Sequence, residues 1–294
     1  MKKILFLLLI LFILTGCSAS IINSQTDQDT SVQRPAASQA DNALVVHFID
    51  VGQGDSILIQ APSGKNMLID AGTNASASAV VNYLKNRKIK RLDILVATHP
   101  HEDHIGGMDA VINKFDIGMI YMPDVSTNTK TYADVLTAVK NRKLKVTTAA
   151  AGIQMDLGPG LQVRMFAPNS DKYDDMNNYS AVIKLTYSNT SFLFTGDAQS
   201  LSEQEMLTKG YDLKADVLKV GHHGSNSSTS PGFLKAVSPE YAVISVGKGN
   251  DYGHPHKETL TKLAGANVKV FRTDKNGTII ARSNGNTILW ETAK

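Results

Sequence analysis

Short apolar runs of strand length follow one another from Leu44 to Trp290, with helix-like stretches interspersed and no second low-complexity break. The run 92–97 is largely apolar, which is typical of a strand buried on both faces. Strands dominate both halves of this segment, and that order favours two sheets packed together with helices outside them. The pattern therefore predicts one α/β domain over residues 43–294.

The N-terminus has the features of an export signal. Lys2 and Lys3 precede the apolar run Ile4–Leu14, which is too short to span a bilayer as a mature helix. The ending Leu-Thr-Gly-Cys at Cys17 resembles the lipobox of bacterial lipoproteins, in which the cysteine is lipidated. We predict a lipoprotein signal peptide over 1–16, with an uncleaved anchor as the alternative. Either interpretation leaves the protein extracytoplasmic and anchored to the cell membrane.

Composition restricts both the linker and the metal chemistry. Residues 17–42 are rich in Ser, Gln, Asp, Thr and Ala without an aromatic residue, which indicates a flexible linker. The single cysteine excludes an internal disulfide and any zinc or iron–sulfur site built from several cysteines. Any metal must therefore be held by histidines and carboxylates. The formal net charge of +3 does not by itself indicate nucleic-acid binding.

Seven of the eight histidines fall in three short clusters, and each cluster directly follows a predicted strand. Functional loops of α/β sheets lie at the carboxyl ends of strands, so we expect the clusters to converge. The remaining histidine, His47, alternates with apolar neighbours in a strand and is expected to be structural. The clusters are His99, His101 and His104, then His222 and His223, then His254 and His256.

The first cluster, with its acidic residues, has the spacing of a metal-binding loop. His99 and His101 can direct two imidazoles to one cation while Asp103 and His104 reach a second cation nearby. A polar turn with incidental histidines is the alternative.

Two further aspartates follow predicted strands. Asp197 comes after Gly196, so its carboxylate can project from the sheet edge and bridge two cations, although a simple turn aspartate would have the same spacing. Asp70 is expected to accept a hydrogen bond from a ligand imidazole or a loop amide, and so to orient the ligands.

These residues resemble the metallo-β-lactamase superfamily, and more closely the hydrolase domain of ComEC-type competence proteins. The membrane-channel region of those proteins is missing, so we expect a stand-alone lipoprotein. The superfamily likeness is carried by Asp70, His99-x-His101-x-Asp103-His104 and Thr195-Gly196-Asp197. The closer likeness is carried by Asp50-Val51-Gly52-Gln53-Gly54-Asp55, Asn177-Asn178-Tyr179-Ser180, Lys219-Val220-Gly221-His222-His223-Gly224-Ser225 and Tyr252-Gly253-His254-Pro255-His256.

The resemblance implies a four-layer αββα sandwich that holds two divalent metal ions, zinc or manganese. His99, His101 and Asp197 would hold one ion, and Asp103 and His104 the other, with Asp197 bridging them. The superfamily usually has another histidine shortly before the bridging aspartate. This chain has Asn177 and Asn178 there, and Asn178 is expected to support the ligands. An amide oxygen or a water in place of the imidazole nitrogen weakens the site for zinc and favours manganese.

The last ligand of the second ion stays open at this stage. His222 is favoured, with His223 or His254 as the alternatives. Whichever histidine binds no metal can protonate a leaving oxygen or pair with a substrate phosphate, and we assign that catalytic role to His223. Asp103 would also orient the attacking water. His256, just before a predicted helix, is expected either to cap that helix or to lie at the surface.

Two close divalent cations favour in-line hydrolysis, and the site offers no apolar slot for an acyl group. We therefore predict a hydrolase of phosphodiester bonds whose substrate is DNA or a cell-wall polymer. Residues 225–229 could donate to phosphate oxygens or could form a solvated capping loop. The basic stretch 85–91 could follow a polyanion or could be a solvated helix end. The alternative functions are hydrolysis of a C–N or C–S bond and a surface binding module without catalysis.

Overall fold

Two β-sheets form the framework of the chain after Leu44. The computed structural model describes residues 43–294, so the predicted signal peptide over 1–16, the linker over 17–42 and the lipid attachment at Cys17 lie outside the described residues. All described residues belong to one compact unit. Within that part of the chain, every helix is too short or too polar to cross a membrane.

The first sheet has eight strands in the order β15-β14-β1-β2-β3-β4-β5-β6. Strands β15 to β3 pair antiparallel, whereas β3 to β6 pair parallel. Its strands are β1 (Leu44–Phe48), β2 (Ile57–Gln60), β3 (Asn66–Ile69), β4 (Arg91–Val96), β5 (Asp116–Met122), β6 (Val146–Thr148), β14 (Ile279–Ser283) and β15 (Ile288–Thr292).

The second sheet has seven strands in the order β13-β12-β11-β10-β9-β8-β7. Here β7 to β10 pair antiparallel and β10 to β13 pair parallel, so both sheets combine an antiparallel half with a parallel half. Its strands are β7 (Gln154–Met155), β8 (Leu161–Ala167), β9 (Val182–Tyr187), β10 (Thr190–Phe194), β11 (Val217–Lys219), β12 (Tyr241–Ile244) and β13 (Lys269–Arg272).

Helices cover the outer face of each sheet. Helices α1, α3 and α4 pack on the first sheet, and α5, α6 and α7 pack on the second. The helices are α1 (Ala77–Asn86), α2 (Glu102–Ile105), α3 (Met108–Lys114), α4 (Lys130–Asn141), α5 (Ser200–Thr208), α6 (Pro231–Val237), α7 (Lys257–Gly265) and α8 (Thr273–Asn276). The predicted four-layer αββα sandwich is confirmed.

The central core lies between the two sheets. Alternate residues of β1, namely Leu44, Val46 and Phe48, enter this core, because successive strand side chains point to opposite faces. Phe48 meets Phe194 of the second sheet, with ring centroids 6.2 Å apart. His47, which points to the other face, is buried and hydrogen-bonds Tyr83 and Gln60 at 2.9 and 3.0 Å.

Candidate metal centre

The candidate site lies where strands of both sheets end. Asp70 follows β3 and His99 follows β4, while Asp197 follows β10 and His222 and His223 follow β11. The strands β3 and β4 run parallel, and so do β10 and β11, so each pair delivers its loops to one edge of its sheet. Residues far apart in the chain thereby meet at one rim of the sandwich.

The loop after β4 brings three imidazoles together. The Nε2 atom of His99 lies 3.0 Å from Nδ1 of His101. The Nε2 atom of His104 is buried without a hydrogen-bond partner. It lies 3.3 Å from Oδ1 of Asp197 and 3.9 Å from Oδ2 of Asp103. Burial and the neighbouring His104 hold the pKa of His99 well below its usual value.

Asp70 anchors this loop from beneath. Its carboxylate is fully buried and accepts from Nδ1 of His104 at 2.8 Å. It also accepts from the backbone N–H of Thr98 at 2.8 Å and from the Thr98 hydroxyl at 2.7 Å. The bond to Nδ1 turns Nε2 of His104 towards Asp197, which is how a carboxylate orients a metal-binding imidazole.

Asp197 is the carboxylate at which the two sheets meet. Its Oδ2 atom lies 3.9 Å from His99, 3.7 Å from His222 and 3.5 Å from His223. Burial favours the neutral acid, but the positive charges of His223 and His104 hold the pKa of Asp197 well below its usual value. Gly196 before it has a φ of 50°, and a β-carbon there would crowd the Thr98 side chain. The backbone N–H of Asp197 donates to the Ser180 hydroxyl at 3.0 Å.

The turn after β11 sends two adjacent histidines into the site. His222 and His223 both have left-handed backbones, with φ of 49° and 52°. Nδ1 of His223 donates to the carbonyl of Ser245 at 3.0 Å, which leaves Nε2 directed at Oδ2 of Asp103, 3.1 Å away. Burial opposes the charged imidazole, but the Asp197 charge and the bond to Asp103 raise the pKa of His223 to about 10.

Two sets of side chains have their nitrogen or oxygen atoms within 4.8 Å of one another at this rim. One set is His99, His104 and Asp197, and the other is Asp103, His104 and His223. The second set contains His223 rather than the favoured His222, whose Nε2 atom nevertheless lies 3.7 Å from Oδ2 of Asp197. A third set, Asp55, Asp70 and His104, lies behind the site.

The remaining predicted ligands border an open cavity of about 310 Å³. His222 and His254 both line it and lie edge to face, with ring centroids 5.4 Å apart. Burial lowers the pKa of His254 to about 4. The cavity is lined by Gln53, His101, Glu102, Asp103, Asn177, Asp197, His222, His223, Tyr252 and His254. Sequence reasoning did not single out Gln53 and Tyr252, although both stand in the motifs of the closer likeness.

The two asparagines have different surroundings. Asn178 does not line the cavity, and its Oδ1 atom accepts from the backbone N–H groups of Gln199 and Ser202, both at 3.3 Å. Asn177 borders the cavity, and its Oδ1 atom is buried without a hydrogen-bond partner. Of the two amides, Asn177 is therefore the candidate for a metal ligand. Asn178 instead holds the loop before α5.

Neighbouring polar residues are largely used inside the protein. Ser225, Ser228 and Thr229 are buried, so the loop 225–229 is not the solvated loop that was one interpretation of the sequence. The Ser228 hydroxyl donates to the carbonyl of Ala198 at 2.8 Å. His256 precedes α7, and its Nδ1 atom accepts from the backbone N–H of Asn226 at 3.0 Å.

The donor set fits divalent cations. Nitrogen and carboxylate oxygen atoms converge, and two of them, Nε2 of His104 and Oδ1 of Asp197, are buried without hydrogen-bond partners. Buried polar atoms without partners are costly, so such a pair of atoms facing one another fits a role as cation ligands. Imidazole and carboxylate ligands suit zinc, manganese and iron alike.

Comparison with known proteins agrees with this geometry. The profile of the metallo-beta-lactamase superfamily matches residues 49–248. The chain belongs to the metallo-β-lactamase superfamily. It is therefore a metal-dependent hydrolase by family, and its fold is the one that the superfamily resemblance implies. A second profile, the prokaryotic membrane lipoprotein lipid attachment site, matches residues 1–18.

Curated relatives of this member of the metallo-β-lactamase superfamily include two competence proteins. ComE operon protein 3 of Bacillus subtilis is 33% identical over 80% of this chain and 32% of its own length. Competence protein ComA of Neisseria gonorrhoeae is 34% identical over 84% of this chain and 33% of its own length. The chain thus spans about a third of each relative. Among solved structures, the metallo-beta-lactamase fold protein YhfI of Bacillus subtilis superposes with a TM-score of 0.54 at 14% identity, covering 82% of this chain and all of that one.

Proposed function

We propose that this protein is an extracytoplasmic, lipid-anchored hydrolase of phosphodiester bonds. The observation that carries the proposal is the meeting of Asp103, His104, Asp197 and His223 at one rim of the sandwich, beside the cavity, where two buried ligand atoms have no hydrogen-bond partner. The side chains that line the cavity carry amide, imidazole and carboxylate groups, with a single tyrosine. Such a wall suits a charged phosphodiester better than an acyl chain.

In this proposal the ligands divide between two metal positions. His99 and Asp197, with His101 beside His99, would hold one ion, and Asp103, His104 and His223 would hold the other, with Asp197 close enough to contribute to both. When bound, the two cations would supply an acidified water and neutralise charge on the phosphoryl group. Asp70 keeps Nε2 of His104 turned towards the ligand set by accepting from Nδ1.

The protein's own groups prepare the proton transfers. Asp103 faces the cavity and is acidic, because the positive charges of His104 and His223 outweigh its burial and lower its pKa. Its carboxylate can therefore accept a hydrogen bond from a water and orient it. His222 borders the cavity, with Nδ1 3.2 Å from the Ser227 hydroxyl, and can donate a proton to the leaving oxygen. His254 lies beside His222, with ring centroids 5.4 Å apart.

The location is proposed from the N-terminus. The lipid attachment profile covers residues 1–18 and thus includes Cys17, which we propose as the lipidated residue after removal of 1–16. Residues 17–42 then serve as the linker between the membrane and the domain over 43–294. Such an anchor keeps the enzyme at the membrane surface, where exported polymers pass.

The substrate is proposed to be a polyanionic phosphodiester polymer, either DNA or a polymer of the cell wall. Competence protein ComA is among the relatives, and the likeness to the ComEC hydrolase domain implies a nuclease. Within the basic stretch, Arg91 is already paired with Asp93 and Asp116, whereas Lys88 and Lys90 are exposed. Exposed lysines there can follow a polyanion outside the cavity.

The test uses the purified full-length protein in detergent, loaded with Mn²⁺ or Zn²⁺. We expect cleavage of bis-p-nitrophenyl phosphate and of single-stranded DNA or a teichoic-acid type phosphodiester, and no cleavage by the Asp197→Ala variant. The proposal would be refuted if the protein cleaved none of these phosphodiesters. A β-lactam or thioester turned over instead would establish the other bond type, and tight polymer binding without any turnover or metal would establish a binding module.

A further inference from the structure

Directly behind the candidate metal centre lies an ion pair that the proposed chemistry does not use. Nζ of Lys219 lies 2.8 Å from Oδ2 of Asp55, and both side chains are almost completely buried. Lysine is rarely buried so completely, and a buried ion pair contributes little stability that apolar side chains of similar volume would not also provide. The pair therefore calls for a role other than stability.

Asp55 holds the loop of the first sheet that carries Asp103. The backbone N–H of Asp55 donates to the carbonyl of Asp103 at 3.1 Å, and its own carbonyl accepts from Gly72 at 2.8 Å. The chain comes so close here that a β-carbon on Gly54 would collide with the Asp103 carbonyl oxygen. The backbone positions of Asp55 and Asp103 are thus tied together.

Lys219 holds the loop of the second sheet that carries His223. It is the last residue of β11, and its Nζ also donates to the carbonyl of Val220 at 2.9 Å, at the start of the turn into the two histidines. The Lys219 carbonyl accepts from the Thr195 hydroxyl at 2.7 Å, just before Asp197. Lys219 is therefore tied to the two loops of the second sheet that carry Asp197 and His223.

The pair also reaches His223 directly. Oδ1 of Asp55 has no hydrogen-bond partner and lies 3.6 Å from Nδ1 of His223, beside the bond from Nδ1 to Ser245. A negative charge at that point favours the tautomer with the proton on Nδ1. That tautomer leaves Nε2 directed at Asp103 and Asp197.

We infer that Lys219 and Asp55 form a positioning pair that joins the two sheets and holds Asp103 and His223 at ligand distance from each other. The pair crosses between the sheets at the point where their ligand loops meet. This inference rests on the proposed metal centre, but its first readouts need no substrate, so it can fail independently of the phosphodiesterase proposal.

The experiment compares full-length wild-type protein with Lys219→Met/Asp55→Asn, a double variant that removes one positive and one negative charge. Because the net charge at the site stays the same, a change in metal binding reports geometry rather than charge. The matched control is Lys184→Met/Asp212→Asn, which removes a cross-element ion pair of 2.9 Å outside the cavity lining. Far-UV circular dichroism and thermal melting of the metal-free proteins check folding.

Titration with Mn²⁺ and the visible spectrum of the Co²⁺-loaded protein are then measured. We expect the double variant to bind Mn²⁺ at least about tenfold more weakly and to show an altered Co²⁺ spectrum, the scale expected for groups that orient ligands. The control variant should match wild type in both. A folded double variant with wild-type affinity and spectrum would overturn the inference.

The single variant Asp55→Asn covers the case in which the double variant does not fold. Asparagine keeps the size of the side chain and the backbone bonds to Asp103, but removes the charge facing Nδ1 of His223. We expect an altered Co²⁺ spectrum for this variant as well. An unfolded double variant together with an unchanged spectrum for Asp55→Asn would show that the pair acts only on folding, which also overturns the inference.

Discussion

The first sheet supplies its share of the candidate metal centre from one loop, whereas the second sheet supplies its share from three. His99, His101, Asp103 and His104 stand within six consecutive residues after β4. Asp197, His223 and His254 follow three different strands. A single loop can be recognised from spacing alone, but the other half exists only because β10, β11 and β12 run parallel and end at the same rim.

The two halves also differ in how their side chains are fixed. Asp70 turns His104 through a direct carboxylate bond within the first sheet. On the second sheet, the bonds that fix the ligands involve the backbone. The backbone carbonyl of Ser245 orients His223, and the backbone N–H of Asp197 is held by the Ser180 hydroxyl. The centre thus combines a preformed loop with a half that depends on the packing of the sheets.

The strongest test of the joint between the halves is Asp197→Ala. Its carboxylate lies within 4 Å of imidazoles from both sheets, so its loss removes a direct link between the two halves. We expect phosphodiesterase activity to fall at least about 10²-fold, and metal content to fall with it. Metal analysis and steady-state kinetics measure both, with Asp212→Ala as an exposed-carboxylate control. Full activity of Asp197→Ala would show that the halves work separately.

Within the second half, His222 and His223 can be separated by matched variants. His223→Ala should lose metal, because His223 belongs to the set with Asp103 and His104. His222→Ala should retain metal while its kcat falls by about 10²-fold, as expected when a proton donor is removed. Metal content measured beside kcat gives the answer. The opposite result, metal loss in His222→Ala alone, would restore the assignment that the sequence favoured.

Asn177→His sharpens the comparison at the border of the cavity. The buried Oδ1 atom of Asn177 would be replaced by an imidazole nitrogen, which zinc prefers over an amide oxygen. We expect the ratio of zinc to manganese affinity to rise on the order of tenfold, the scale at which single groups around a metal change its affinity. Competition titrations measure this ratio. Asn178→His serves as the control, because Asn178 is engaged with the α5 backbone.

His47 provides a histidine outside the site, and its variant should change stability without changing activity. Burial lowers the pKa of His47 to about 4, below its usual 6.5. The native state therefore favours the neutral imidazole, and its contribution is present above pH 6.5 and lost as pH falls towards 4. His47→Gln should remove up to about 3 kcal/mol of this pH dependence. Urea unfolding of the metal-free proteins across that range measures the slopes, and equal slopes would contradict the assignment.

Most of the fold could be predicted because its strands are short apolar runs bounded by turn residues. Strands β6 and β7 lack this signal: β6 is exposed along its length and β7 has only two residues. They are formed by pairing to β5 and β8 at the sheet edges. Helix α2 was missed because its four residues belong to the metal-binding loop.

The candidate site was predictable to the extent that its residues are close in sequence. The loop 99–104 and the aspartate after β10 have clear spacing, whereas the choice between His222 and His223 depends on backbone direction, which residue type does not reveal. The pairing of Lys219 with Asp55 was not predicted either, although both stand in the motifs of the closer likeness, because spacing along the chain does not show which side chains meet between the sheets.

The left-handed turn at the paired histidines has a consequence for substitution tolerance. At φ of 49°, a side chain with a β-carbon meets its own backbone, a cost of about 1 to 2 kcal/mol that glycine avoids. The usual ranking, in which alanine is tolerated better than glycine, should therefore reverse at position 222, with His222→Gly melting at a higher temperature than His222→Ala. The wild-type chain accepts this penalty at His222 and His223, and both imidazoles then direct Nε2 at Oδ2 of Asp197.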